Sequence, residues 1–122
     1  MTASLTPALA LDYITALSAD IRAAVVFDAA GHHLAGPAKL AEAARALLTK
    51  SDSGEGSAED GKVFVARDER HVIVVVTGPF ALARVTRYDL RTALSALGGQ
   101  KAPIGPPGRL DDAVVAALLS AF

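Results

Sequence analysis

The sequence contains no cysteine, and that absence removes several chemistries at once. Disulfide bridges, thiol nucleophiles and thiolate zinc sites are excluded. Charge of one sign is missing as well. The 12 Lys and Arg stand against 13 Asp and Glu, for a net charge of −1. A chain so balanced has no field to gather nucleic acid or anionic lipid. Long apolar runs are absent too. The longest unbroken run of Val, Ile and Leu, Val72 to Val76, is far too short to insert across a membrane. Residues 1–10 have neither a basic start nor a sustained apolar stretch, so no signal peptide is expected and the expected location is cytoplasmic. Aromatic residues are scarce, at two tyrosines and four phenylalanines, which leaves no stacking platform for bases.

Catalytic patterns are equally thin. There is no G-x-x-x-x-G-K-S/T run and no G-x-G-x-x-G; Gly54-Glu55-Gly56 and Gly98-Gly99 are glycine pairs, not phosphate loops. Ser51, Ser53 and Ser57 lie in an acidic stretch with no histidine beside them, as a nucleophile would need. His32 and His33 are adjacent, so on a strand they face opposite sides and cannot readily share a metal. His71 is distant from both. Exposed hairpin histidines are the simpler account. Asp111-Asp112 is a carboxylate pair, but helix capping explains Asp111. The expectation is a chain that is not an enzyme, with no catalytic residue, cofactor or metal of its own.

The residues present suit one domain. At 122 residues and 52% hydrophobic, the chain can bury a sizeable core without staples. Thr6-Pro7 reads as N-cap and first helical residue. Ala10, Ile14, Leu17 and Ile21 follow at helical spacing, and the helix is expected to end near Ala19 or Asp20. Ala23 to Asp28 reads as a strand, Asp28-Ala29-Ala30-Gly31 as a turn and His32 to Ala35 as a second strand. Gly36-Pro37 opens a second helix, on which Leu40, Ala43, Ala44, Leu47 and Leu48 are apolar. Lys50 to Gly61 is rich in Ser, Gly, Asp and Glu and reads as an acidic loop.

Three strands are then expected in series: Lys62 to Arg67, His71 to Thr77, and Phe80 to Val85. The second is apolar on both faces and should be central. Thr86-Arg87-Tyr88-Asp89 has the form of a capping box. The helix it would open carries Leu90, Ala93, Leu94 and Leu97 on one face and ends at Gly98. Residues 1–98 form the expected domain. Residues 99–109, with Pro103, Pro106 and Pro107, read as a linker. Residues 110–122 read as an amphipathic helix capped by Asp111, with Leu110 stapled on Val115. This helix can dock on its own domain, on a twin, or in a partner's groove. Docking within a homodimer is the favoured reading, because an exposed stripe ending in Phe122 would promote aggregation.

The order α-β-β-α-β-β-β-α plus a C-terminal helix indicates an α+β fold, an antiparallel sheet with helices on both faces. From Leu9 to Leu97 it resembles the Roadblock/LC7 family. The resemblance rests on Ala23 to Gly31 (AAVVFDAAG), on the Ala-rich helix after Gly36, and on Ala81 to Val85 (ALARV) before a Leu-rich helix. It implies a profilin-like five-stranded antiparallel sheet, with the first and third helices on one face and the second on the other. It implies homodimers that pair their second helices and third strands. Bacterial members commonly bind small Ras-like GTPases.

Residue chemistry points to self-association separately. Lys62 to Arg67 is a candidate sheet edge, and an unpaired edge carrying Val63, Phe64 and Val65 invites a second copy. Leu40, Ala43, Ala44 and Leu47 are the matching helical candidates, the alanines allowing close approach. Arg84, Arg87 and Arg91 form a basic cluster that suits a partner surface, although solvation and pairing with Asp89 or Glu69 would also explain it. The functional expectation is a homodimeric adaptor or regulator that binds a small Ras-like GTPase or a signalling or motility complex. The alternatives are a small-molecule sensor of profilin-like or PAS-like architecture, and a structural subunit of a larger assembly.

Overall fold

The computed structural model describes residues 6–17, 20–45, 54–67, 70–97, 108–110 and 112–120. Helix α1 spans Pro7–Leu17. The Leu9 amide donates to Thr6 Oγ1 at 3.2 Å, so Thr6 satisfies an amide that the first turn leaves without a helical partner. Strand β1 covers Ile21–Asp28 and strand β2 His33–Ala35. Between them the Asp28 carboxylate accepts from the amides of Ala30 (2.9 Å) and His32 (2.8 Å). Gly31 closes the turn at φ 92°, a conformation that costs glycine little. Helix α2 is Ala38–Ala44.

Strands β3 (Gly54–Ala58), β4 (Gly61–Arg67) and β5 (His71–Thr77) follow, then helix α3 (Ala83–Ala96). A two-residue strand β6 (Gly108–Arg109) and helix α4 (Asp112–Leu119) complete the chain's described elements. The sheet order is β2-β1-β5-β4-β3-β6. The first five strands are antiparallel throughout, as expected of a profilin-like α+β fold, and β6 adds a short parallel rung beside β3.

Period-two alternation divides the sheet's side chains between two cores. On one face Val26, Phe64, Ile73 and Val75 pack with Ala10 and Ile14 of α1 and with Leu90, Ala93 and Leu94 of α3. On the other, Val25, Phe27, Val63 and Val74 pack with Leu40 and Ala44 of α2 and with Val115 and Leu118 of α4. Strand β5 is central and buried on both sides. The placement of α1 and α3 opposite α2 follows the sequence expectation, and α4 joins α2's side.

Several expectations are corrected. Phe80 to Val85 is not a strand: Phe80 and Leu82 are exposed, and the helix has begun by Ala83. The third strand of the series lies earlier, at Gly54–Ala58, inside the stretch that reads as a loop. The count of five antiparallel strands therefore holds while one member shifts, and β6 is an addition to it. Thr86 and Asp89 do not form a capping box. Thr86 sits in the first turns of α3 and its hydroxyl donates back to the Leu82 carbonyl at 3.1 Å, an ordinary use of a helical threonine. Lys62 to Arg67 is not an edge, because β5 flanks it on one side and β3 on the other. Val63, Phe64 and Val65 are accordingly buried within a single chain.

Candidate interaction surface

The border that Val63, Phe64 and Val65 do not form is formed by β3. Its inner side pairs with β4 along its whole length, Gly54 to Ala58. Among the described residues its outer side pairs at Gly54 and Glu55 alone, opposite Gly108 and Arg109, and the Leu110 amide donates to the Glu55 carbonyl at 3.0 Å. Gly56, Ser57 and Ala58 have no strand beyond them among the described residues. The glycines explain how a stretch of weak β propensity comes to be a strand. A Cβ at Gly56 would stand 2.5 Å from Val115 Cγ2, and one at Gly61 would stand 2.7 Å from Leu119 Cδ2. Glycine at both positions lets α4 lie directly on the sheet. The C-terminal helix therefore docks on its own domain, with Leu110, Val115 and Leu118 each no more than 5% exposed. Of the expected linker, Gly108 and Arg109 form β6. Residues 98–107 lie outside the described residues, as do Asp111 and Phe122.

The helical half of the expected dimer face is turned inward. Leu40 and Ala44 are fully buried against their own sheet, and Ala43 is partly buried against the same core. Leu47 and Leu48 lie outside the described residues.

The three arginines are brought together and exposed. Arg84, Arg87 and Arg91 fall at i, i+3 and i+7 on α3, one side of the helix. Arg87 reaches across to β3, donating from Nε to Glu55 Oε2 at 2.6 Å and from Nη2 to Glu55 Oε1 at 2.5 Å. This forked pairing holds the guanidinium more firmly protonated than usual. Of the two partners suggested for the cluster, Asp89 is buried and Glu69 lies outside the described residues. Asp89 is the only acid in Ala83–Ala96, and burial raises its carboxyl above the ordinary aspartate range. The exposed side of α3 thus presents arginines and no carboxylate.

Beside the arginines lies an apolar strip that sequence reading assigned to a strand or passed over. Phe80 is 87% exposed, Tyr88 70% and Leu82 68%, with Val85 half exposed. The loop carrying Phe80 and Leu82 is held in place. Ala81 is buried between them, and Lys62 Nζ donates to its carbonyl at 2.8 Å. Helix α1, which packs against α3, has two exposed apolar residues of its own, Leu9 and Tyr13. The only advance signal was a run of large apolar residues that exceeds what one buried strand face needs.

The two hairpin histidines are occupied locally. His32 Nδ1 lies 2.9 Å from Asp28 Oδ2, and His33 Nε2 lies 2.9 Å from the Gly36 carbonyl oxygen. Among the described residues no three His, Asp or Glu side chains converge as a metal site requires, and no helix is long and apolar enough to cross a membrane.

No protein-family model matches the chain, and no curated protein matches it. Among solved structures it is similar to the gliding protein MglB from Thermus thermophilus, with a TM-score of 0.61 at 17% sequence identity, over 73% of this chain and 83% of that one. MglB is a Roadblock/LC7-family gliding protein, and the likeness shows that this chain has the Roadblock/LC7 fold.

Proposed function

We propose that this protein is a non-enzymatic adaptor or regulator that binds a small Ras-like GTPase through the exposed side of α3. The reading is carried by one observation: Arg84, Arg87 and Arg91 lie beside Phe80, Leu82, Val85 and Tyr88, where α3 exposes no acid of its own and the partly exposed Glu55 is paired with Arg87. Arginine and exposed aromatic residues are the side chains most enriched where proteins bind one another. A fold whose relatives commonly engage Ras-like GTPases supplies the partner class. The contribution of this chain is surface, and the chemistry belongs to the partner. Self-association forms part of the proposal, placed now at β3, whose outer side is, among the described residues, an incompletely paired border of the sheet.

The test is a titration of purified Ras-like GTPases from the source organism, each loaded with GDP or with a non-hydrolysable GTP analogue, against the labelled chain. Saturable binding to one of them, weakened by Arg84→Glu with Arg91→Glu, is the expected result. Failure of every such GTPase to bind in either nucleotide state rejects the reading.

A further inference from the structure

We infer that the C-terminal segment, β6 with α4, is a displaceable cap on the β3 border, and that its release opens this border to a second copy of the chain. The inference rests on the self-association proposed above and names what controls it.

The cap and the second copy compete for the same groups. The outward backbone positions of β3 are those of Glu55 and Ser57, since the Glu55 carbonyl takes the Leu110 amide and outward groups recur every second residue. The cap pairs through two parallel residues alone, whereas β3 makes five antiparallel pairs with β4. Most of the hold on the cap comes instead from α4, through Val115 on Gly56 and through Leu118 in the core.

The border is self-complementary. A two-fold axis through Gly56, the middle residue of β3, would set Glu55 opposite Ser57 of the second copy and Gly54 opposite Ala58. No like charges would face each other, and both outward pairs would be closed isologously. Apart from Glu55, whose carboxylate is held by Arg87, the residues of the strand are small and offer little resistance to close approach. Undocking α4 would also bare the part of the core face that Val63 and Val65 share with Val115 and Leu118, giving the second copy apolar surface to cover. The alternatives, a border that binds an unrelated extended peptide or one that is never vacated, are outcomes of the test.

The absence of cysteine makes a clean test available. A Cβ at position 56 would approach Val115 closely enough for a bridge, so Gly56→Cys with Val115→Cys in the full chain locks the cap when oxidised. Full-length Leu118→Asp loosens it. Sedimentation velocity across a concentration series reads the association, and amide exchange at Glu55 and Ser57 reads the border. The oxidised double variant is expected to stay monomeric at every concentration, and its reduced form to dimerise. Leu118→Asp should dimerise at least tenfold more tightly than the unaltered chain, with both amides protected in the dimer. Equal dimerisation of oxidised and reduced forms overturns the cap while leaving self-association standing. Monomers in every form, with α4 amides exchanging freely in Leu118→Asp, overturn self-association and the cap together. Should Leu118→Asp fail to fold, the oxidised and reduced pair decides alone.

Discussion

Replacing Leu118 by alanine tests whether α4 belongs to the cooperative core. Leu118 is fully buried, in the core that also holds Val63, Val65 and Val76. The substitution removes three carbons, a transfer loss of about 2.4 kcal/mol at roughly 0.8 kcal/mol per methylene. A residual cavity adds to this, and such truncations in closed cores cost roughly 2–5 kcal/mol. Because α4 covers one side of the sheet and can settle inward, the expected loss is in the lower part of that range, about 2–3 kcal/mol. Urea unfolding of the full chain measures it, with Leu82→Ala as the control. Leu82 is 68% exposed, and its truncation should change stability by less than about 0.5 kcal/mol. The reasoning fails if Leu118→Ala costs no more than the control, because α4 would then not be held on the sheet in solution. An unchanged slope against urea is also expected, since the surface exposed on unfolding is nearly the same.

Gly36→Ala should destabilise by more than about 1 kcal/mol, because Gly36 has φ +105° and a Cβ there would run into the Ala24 carbonyl and the Val25 backbone; thermal or urea unfolding measures it. Asp89→Asn should stabilise the chain at neutral pH. The buried carboxyl has its folded pKa raised, so the native state holds the proton more tightly and stability falls as pH rises through the folded value. The advantage of the asparagine form should shrink as pH is lowered towards 4 and below, which unfolding curves at several pH values would show. Asp28 has the opposite sign. Its pKa is lowered, first by the His32 amide, so its contribution is present above the ordinary carboxylate range and is lost as acid protonates it. The paired reversal Arg84→Glu with Arg91→Glu should weaken GTPase binding at least tenfold, with the circular dichroism and melting curve of the chain unchanged.

Much of the fold was legible where local chemistry and burial agree. Thr6, the turn from Asp28 to Gly31, and the doubly apolar run from Val72 to Val76 each specify an element without help from distant residues. The reading failed where tertiary contact decides. Gly54 to Ala58 has little strand propensity, and it is a strand because β4 pairs with it and because its glycines admit α4. No local pattern carries that information, since the helix it accommodates begins more than 50 residues later. The apparent strand at Phe80 to Val85 failed for the converse reason. Its large side chains alternate as in a strand, yet Phe80 and Leu82 remain in solvent. Reading Thr86 as a cap placed the helix start four residues late, and so hid the apolar strip beside Arg84 and Arg87. Those arginines were legible as a cluster. Their link to Glu55, which ties the same surface to the β3 border, was not, because it joins residues 32 positions apart.

The central claim is that the α3 surface receives the partner. Amide exchange on the full chain, alone and saturated with the GTPase that binds it, tests this most directly. Slowed exchange from Phe80 to Arg91, with α2 unaffected, is the result the account requires. Full binding with those amides unchanged, and with Arg84→Glu and Arg91→Glu without effect, would contradict it.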